Sequence, residues 1–505
     1  MANDSRQVKE SETPRGRRFA YNPGHLDTHP LVREYFGEQL RSRRTDAWKE
    51  CNRRLFHYYR TLAPQLPNSF REMEPLFSAV ICGCNAGLFR EALHEVYIPR
   101  IQRGNDSFAA NVLGARGPLL SVLVHFFEHG RWGSLVETVV ERQSLTAEDQ
   151  LFIFMQAGLY LTTTRGFASP EARICYEHTE PLCHSLSRPR LLNVALMGRW
   201  RYSLVTEKMT ATMQIAKRIY SLALKQNDPA AMIGGCAALA PTLCLLGDFE
   251  TAREYAMRGV EIWRSGGVQL VEEIMESPVV CLAYKAICEW HLGETVSYQT
   301  TKAESISLAK ERRDPNALAL ALYFATITAG LERNPAEVER FASELIELST
   351  RYNFAFWLPG ANVLRGWARS VSGDTVEGIS RIEQGIEDYR AIGNRGTSTW
   401  LALKAEALHL ADRTSEALEV IKEAEALAER FELRWWSAEF HRLRAVFLTA
   451  IGADEAQIQG SFCEAIRIAR AQKSVSLEKR AEGTYAEYRR QKASGSGGHG
   501  FRLPL

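Results

Sequence analysis

The sequence predicts an all-α solenoid, built from helix pairs that stack along the chain. Three observations support this class. Turn-forming residues recur about every 40 positions over the C-terminal two thirds of the 505-residue chain, no segment has sustained strand alternation, and proline-containing helix starts recur along the repeats. A fixed repeat period of roughly 20–50 residues with helix-pair content is typical of α-solenoids.

The turn inside each predicted helix pair marks the repeat. Consecutive turns are 39 to 41 residues apart, except for one interval of 46 residues between Gly247 and Gly293. The eight turn residues are Gly166, Glu207, Gly247, Gly293, Arg333, Gly373, Asp412 and Gly452. Glycine favours such turns because it adopts left-handed backbone conformations at little cost.

Helix starts agree with this register. Thr146 is followed three residues later by Asp149, a spacing that lets both side chains bind free backbone amides of a first turn. Asp228, Asp314 and Asn334 each precede a proline, which is tolerated in the first turn of a helix. We therefore expect helices to begin at these four places.

Residue size at fixed distances from the turn predicts how the helices pack. Six of the seven residues that stand seven positions before a turn, from the second unit on, are small: Trp200 is the exception, and Ala240, Ala286, Thr326, Gly366, Ala405 and Ala445 follow the rule. Small residues let paired helices approach closely. Large rings are expected to fill the space between neighbouring units, namely Trp263, Trp290, Phe356, Trp357, Trp400, Trp435 and Trp436.

Four regions follow from these patterns. Residues 1–28 are polar and predict a disordered leader, and residues 491–505 are rich in glycine and serine and predict a flexible tail. Residues 29–145 predict a helical arm, and residues 146–490 predict the repeat solenoid. Within the arm we expect helices over Leu31–Arg43, Asp46–Leu62, from Ser69 to about Asn85, Leu88–Gln102 and Pro118–Glu128.

Composition favours a soluble cytoplasmic protein. Apolar residues make up 45% and charged residues 24% of the chain, and the net charge is +2. This charge argues against a dedicated nucleic-acid binder. The N-terminus lacks the apolar core of a signal peptide, and the uncharged stretch 229–247 is expected to be a buried helix rather than a membrane span. The ten scattered cysteines are expected to be reduced core residues.

Catalytic and metal-binding motifs do not emerge from the sequence. It contains no P-loop, no protein-kinase motif set and no nucleophile elbow. His125 and His129 form an H-x-x-E-H pattern, which would place two imidazoles on one face of a helix, but no third ligand is evident. Cys175, His178, Cys183 and His184 fit no common zinc spacing. We therefore predict a protein without enzymatic activity, metal or cofactor.

The turn segment Gly247-Asp-Phe-Glu-Thr-Ala252 resembles a tetratricopeptide repeat. The period of about 40 residues is similar to the longer repeats of the maltose-regulon activator and related bacterial regulators. This resemblance implies a right-handed superhelix whose first helices line an inner groove. In that register the groove positions are Arg201, Pro241, Ile287, Ile327, Trp367, Glu406 and Val446, with Arg442 one helical turn before the last.

Residues 150–490 are also similar to the C-terminal repeat region of bacterial STAND-type signalling ATPases, including those fused to adenylate cyclase domains. The segments that carry this likeness are Thr164–Glu171, Leu364–Ala368 and Trp436–Leu443. His25–Phe36 looks like the end of the winged-helix domain of that family, so residues 1–28 would include a winged-helix remnant. The NTPase module of the family would precede this point and is not part of the chain.

These features predict a protein-interaction scaffold, or the sensor arm of a bacterial signalling system. The expected ligand is a peptide or a partner domain, and self-association is possible; neither a membrane nor nucleic acid is expected. The candidate binding residues are Arg201, Ile287, Ile327, Trp367, Glu406 and Arg442. Trp367 has two interpretations, because it would either face the groove or pack between units. A small-molecule sensor and a detached subunit of an NTP-driven switch are the alternatives.

Overall fold

The computed structural model describes residues 30–137, 140–270 and 276–493. These residues form 23 α-helices together with short 3-10 and π-helical segments. Within them, β pairing is limited to one isolated antiparallel bridge between Phe127 and Leu135. The all-α prediction is therefore confirmed. The predicted leader 1–28 and residues 494–505 of the predicted tail lie outside the described residues.

The N-terminal arm consists of shorter helices. Its α-helices are α1 Pro30–Arg43, α2 Thr45–Leu62, α3 Phe70–Asn85, α4 Phe89–Glu91, α5 Phe108–Asn111 and α6 Arg116–Leu123, and a π-helix spans Ala92–Gln102. Ser69 caps α3 by accepting a hydrogen bond from the Glu72 amide. The π-helix contains Pro99, which has no N–H to donate. Gln102, at its end, donates to Tyr160 at 2.6 Å and so ties the arm to the repeats.

The chain around the two histidines of the H-x-x-E-H pattern is not a continuous helix. Val124–Phe126 and Glu128–Gly130 are separate 3-10 turns, and Phe127 between them is extended. The expectation that His125 and His129 share a helix face is therefore wrong. The bridge from Phe127 to Leu135 interrupts the helix there, and its apolar partners pack into the core of the arm.

Eight helix pairs and a final helix follow the arm. The pairs are α7 Ala147–Arg165 with α8 Pro170–Ser185, α9 Pro189–Thr206 with α10 Met209–Gln226, α11 Pro229–Leu245 with α12 Phe249–Arg264, α13 Ser277–His291 with α14 Thr295–Glu311, α15 Pro315–Leu331 with α16 Pro335–Tyr352, α17 Trp357–Val371 with α18 Thr375–Ala391, α19 Ser398–Leu410 with α20 Thr414–Phe431, and α21 Ser437–Ala450 with α22 Glu455–Ala471. The final helix, α23, spans Val475–Ala493 and so extends three residues past the predicted end of the solenoid. Each predicted turn lies between the two helices of one pair.

Local backbone chemistry explains the register. Seven of the eight turn residues have positive φ, while Glu207 is the C-cap of α9 with φ of −117°. Thr146 and Asp149 form a reciprocal capping box. The side chains of Asp228 and Asp314 accept from first-turn amides of α11 and α15, as their spacing predicts.

Close approach of paired helices follows from the small residues. A Cβ atom built on Gly366 would lie 2.6 Å from the carbonyl oxygen of Gly378, so α17 and α18 pack at a distance that no larger residue allows. Ala240 and Ala405, at the equivalent position of other units, are fully buried. All ten cysteines are free thiols and eight of them are buried, in agreement with their expected core role.

The solenoid winds so tightly that units about five repeats apart touch. The Arg395 amide donates to the Val205 carbonyl at 2.9 Å, and the Arg434 amide donates to the Leu245 carbonyl at 2.7 Å. Each bond joins the turn end of an early first helix to the link before a later unit. One superhelical turn therefore rests on the next and closes the interior.

No helix within the described ranges combines the length and the apolarity that crossing a membrane requires. The uncharged segment that begins at Pro229 is α11, and nearly all of its side chains are buried between neighbouring helices. Its prediction as a buried solenoid helix is confirmed.

Candidate ligand cavity

The interior of the superhelix holds a cavity of about 150 Å³ with an open mouth. First helices and the links before them supply nearly all of its walls. The C-terminal halves of α9 and α11 and most of α13 and α15 form one side, and the starts of α17 and α19 with the links before α17, α19 and α21 form the other.

Helical periodicity explains why these side chains converge. On α9 the lining residues are Met197, Trp200, Arg201, Leu204 and Val205, which recur at spacings of three and four and so occupy one face. The lining residues of α13 and α15 recur in the same way. First helices are packed against other helices around most of their circumference and are therefore rich in apolar residues. For this reason the face that borders the cavity is apolar as well.

One rim of the cavity is closed by contact between superhelical turns. Phe167, in the turn of the first pair, stacks on Phe356 with ring centroids 4.2 Å apart. The two residues are 189 positions apart in sequence, so the contact exists only because the superhelix completes a turn. Both rings line the cavity.

Hydrogen bonds fix the orientation of several lining rings. The Trp200 indole donates to the Thr242 hydroxyl at 3.0 Å, and the Trp357 indole donates to the Asn316 side chain at 3.1 Å. The Tyr323 and Tyr389 hydroxyls are 3.2 Å apart, and burial raises the pKa of Tyr323. Because these polar atoms are satisfied behind the wall, the rings add an apolar lining of fixed shape.

An ion pair adds charge to the part of this lining that the structure describes. Arg201 donates to Glu276 at 2.7 Å, and their side chains are 6% and 12% exposed. Among the described residues that line the cavity, these are the one cationic and the one anionic side chain. Ser277, next to Glu276, also lines the cavity, and its buried hydroxyl has no hydrogen-bond partner among the described residues.

Three of the six predicted site residues lie in this wall. Arg201, Ile287 and Ile327 line the cavity, as does Pro241 from the same predicted strip. Trp367, Glu406 and Arg442 lie further along the solenoid and are fully buried. Whether any of the six contacts a partner stays a prediction.

The buried three belong to a charged network that occupies the groove. The Trp367 indole donates to Glu406 at 3.0 Å, and Arg333 donates to the other oxygen of Glu406 at 2.8 Å while lying over the Trp367 ring. Arg442 donates twice to Glu439, at 2.8 and 2.9 Å. Trp367 therefore packs inside the array, which was one of its two interpretations.

Helix α23 completes this network. Its Arg480 lies 3.4 Å from Glu439 and also donates to the Leu331 carbonyl. Burial acts to raise the pKa of Glu439, but Arg442 and Arg480 outweigh it and hold the pKa well below its usual range. The carboxylate is therefore charged and compensated inside the protein.

Sequence reasoning missed Glu276, Ser277 and the later rings of the cavity wall. A signal for the first two was present, because the 46-residue interval places a longer link before α13. Phe356, Trp357, Trp400 and Trp435 were expected to fill space between neighbouring units, but all four line the cavity. Local spacing cannot reveal this position, because it depends on contact between successive superhelical turns.

No cluster of three histidine, cysteine or acidic side chains suited to a metal ion occurs in the described part of the chain. Cys175 is buried, and its thiol lies 3.6 Å from the Trp132 carbonyl. His178 stacks on Phe154 with ring centroids 5.0 Å apart. These residues pack in the junction between arm and solenoid.

No protein-family model matches the chain. One similar protein, from Rhizobium meliloti (strain 1021), is described as uncharacterized and is 22% identical over 213 residues. The match covers 42% of this chain and 21% of the relative's own length. The chain thus spans about a fifth of that relative.

Several solved structures have a similar helical architecture. A Rap protein complexed with competence and sporulation factor has a TM-score of 0.39 and 11% identity, over 88% of this chain and 98% of its own. NprR in complex with its peptide NprX has a TM-score of 0.43 and 9% identity, over 68% and 99% of the two chains.

A STAND protein with a tetratricopeptide repeat sensor, from Pyrococcus horikoshii, has a TM-score of 0.35 and 12% identity, over 85% of this chain and 74% of its own. At these scores the likeness does not extend to a ligand or a function. The assignment to α-solenoids therefore depends on the helix pairs and their packing.

Proposed function

We propose that this chain is a regulatory solenoid without catalytic activity, which binds a ligand in its central cavity. The preferred ligand is a peptide or a terminal segment of a partner protein in a bacterial cytoplasmic signalling system. The observation that carries this proposal is the cavity itself, an apolar space with one ion pair in its wall. Binding sites in proteins are usually concave and apolar, with few polar groups.

Contact between superhelical turns gives such a ligand a way to act. The Phe167–Phe356 stack and the backbone bonds at Val205 and Leu245 border the cavity. A ligand that touches both turns stabilises the closed array relative to any opened one, and a ligand shifts an equilibrium only by such a difference in affinity. The enclosed shape also favours a second candidate, a small-molecule sensor of the same kind.

The test fills the cavity. Ile327 lines it and is 7% exposed, whereas Ile379 on α18 is 6% exposed and lies outside it. We expect Ile327→Trp to extend into the space with little loss of stability. In Ile379→Trp the ring meets packed atoms and destabilises by about 1–3 kcal/mol. Thermal unfolding measures both effects.

Native mass spectrometry of the chain purified from its host, or incubated with host extract, then reports the ligand. The expected result is an added mass on the unaltered chain and on Ile379→Trp, and none on Ile327→Trp. Fragmentation of the released ligand distinguishes a peptide from a small molecule. An added mass that survives in Ile327→Trp would place the ligand elsewhere, and its absence from all three proteins would refute the proposal.

A further inference from the structure

We infer that the cavity binds a carboxylate with an apolar body, and that this carboxylate takes the place of Glu276 on Arg201. The inference depends on the proposed function, because it names the chemistry of the ligand for the same cavity. The carboxylate belongs either to the C-terminus of a peptide or to a free small acid.

The first step is the charge of the wall. Arg201 and Glu276 are paired at 2.7 Å, and both side chains are largely withdrawn from water. A guanidinium group recognises planar carboxylates through paired N–H donors. Glu276 therefore shows which chemistry Arg201 accepts, and an incoming carboxylate that takes these donors keeps the Arg201 charge paired while Glu276, the more exposed of the two, turns away towards water.

The second step is the position of Glu276. It precedes α13, on the link that carries the six extra residues of the 46-residue interval. Arg201 instead lies inside α9, where the helix fixes its backbone. An exchange at Arg201 can therefore move Glu276 without unwinding a helix, while the cation stays in place.

The third step distinguishes an anion from a cation as ligand. Helices α13, α17 and α19 bring their first turns to the cavity, and none has a side-chain N-cap bond. The starts of α11 and α15 lie away from the cavity and are both capped by aspartate. Helix starts without a side-chain cap favour negative charge, because the first-turn amides have no partner within the helix and the helix dipole is positive there.

Ser277 gives independent support for a ligand at the start of α13. It is 1% exposed and lines the cavity, and its hydroxyl has no hydrogen-bond partner among the described residues. A buried hydroxyl without a partner is costly. A carboxylate held by Arg201 beside the start of α13 would accept a hydrogen bond from this hydroxyl.

The apolar body follows from the rest of the wall. Rings and aliphatic side chains dominate it, and four of them are indoles: Trp200, Trp357, Trp400 and Trp435. A ligand body that enters the cavity therefore changes tryptophan emission, which gives a direct reading of occupancy.

The experiment compares ligands that differ only in their polar group. The probes are 4-phenylbutyrate, its amide and the matching amine, together with a Leu-Phe-terminated tetrapeptide with a free or an amidated C-terminus. Tryptophan fluorescence titration of the full chain measures each affinity. We expect at least one acid to bind about tenfold or more tightly than its amide. The peptide and small-acid pairs tell the two sources apart.

Variants then assign the selectivity. Glu276→Gln removes the competing carboxylate and should tighten binding of the acid several-fold. The double variant Arg201→Gln with Glu276→Gln keeps the wall neutral and should bind acid and amide equally. Arg199→Gln is the matched control, because Arg199 lies on the same helix outside the cavity and contacts Glu180. This control should keep the selectivity of the unaltered chain.

The outcomes separate this inference from the proposed function. Equal binding of acid and amide by the unaltered chain, or tightest binding of the amine, would overturn the carboxylate assignment. The carboxylate assignment would also be overturned if no probe acid binds although a host ligand is found that Ile327→Trp excludes. In that case the proposed function would stand. If no cavity ligand is found by either method, both fail.

Discussion

The groove-facing position of the repeat has different surroundings in the two halves of this solenoid. In the early units the inner strip, represented by Arg201, Ile287 and Ile327, borders an open cavity. In the later units its counterparts, Trp367 and Glu406, are buried in a hydrogen-bonded network. The first helices supply comparable faces in both halves. The halves differ in the side chains that fill the groove. In the later units, Arg333 and Arg480 of α23 lie there and pair with Glu406 and Glu439.

This difference predicts that the two halves contribute differently to stability. In the filled half the charges are paired inside the protein. The open half leaves apolar surface uncovered, which costs stability unless a ligand covers it. The predictions below test whether the two halves differ as this comparison requires.

The largest expected effect is the loss of Glu439. Its removal in Glu439→Ala leaves the buried guanidinium group of Arg442 and the partly buried one of Arg480 close to each other without their shared carboxylate. We expect a loss of about 3–5 kcal/mol in the free energy of unfolding, as for other broken buried ion pairs. Chemical denaturation followed by circular dichroism measures it.

Glu276→Ala is the matched variant in the open half. The Glu276 side chain is 12% exposed at the cavity wall, against 2% for Glu439, and it pairs with Arg201, whereas Glu439 pairs with both Arg442 and Arg480. We expect a clearly smaller loss than for Glu439→Ala. Equal losses of unfolding free energy would contradict the comparison, because they would show that a charge is no better solvated at the cavity wall than in the filled half.

The second effect is a pH dependence at the junction of α13 with α23. His291 is fully buried, stacks on Phe249 and lies 2.9 Å from the Ser474 hydroxyl. Burial, and secondly the Arg480 guanidinium, lower the pKa of His291 to about 3. The unfolded chain has a histidine pKa of about 6.5 and binds the proton first, so stability falls as pH drops from about 6.5 towards 3.

The loss between pH 6 and pH 4 should be roughly 2–3 kcal/mol from this group, since one pKa unit corresponds to about 1.4 kcal/mol. Denaturation midpoints across this range measure it. His291→Phe, which keeps the ring stack, should flatten the part of the slope that comes from His291. An unchanged slope in His291→Phe would assign the pH dependence to other groups.

The third effect compares two tryptophans. In Trp367→Phe, Glu406 loses a buried indole donor at 3.0 Å, and we expect a cost of about 1–3 kcal/mol. Trp400 lines the cavity, so Trp400→Phe removes part of a wall next to space and should cost less. Thermal unfolding of the two variants ranks them, and the reverse order would contradict the comparison of the halves.

Sequence patterns predicted the repeat but not its closure. Turn positions such as Gly373 follow from backbone preference, and the inner strip follows from helical phase, which put Ile287 and Ile327 on the helix face that lines the cavity. Burial of Trp367 could not be decided, because it depends on Glu406 and Arg333 from other units. The Phe167–Phe356 stack lies beyond local reasoning for the same cause, since only the complete superhelical turn brings the two rings together.

The smallest effect concerns two turn glycines that differ in what covers them. Gly293 and Gly452 have φ of 82° and 68°, and an alanine in that conformation costs about 1 kcal/mol. A Cβ atom on Gly293 would also lie 2.9 Å from a methyl group of Val475 at the start of α23, whereas one on Gly452 meets nothing within 4 Å. Gly293→Ala should therefore be the more destabilising variant.

The control repeats both substitutions in a Val475→Ala background. There the difference in stability between them should shrink, because the crowding methyl group is gone. If the difference does not shrink, the backbone conformation of the two turns, and not the side chains packed against them, determines the loss of stability. The contact of Val475 with the α13 turn would then not contribute to it.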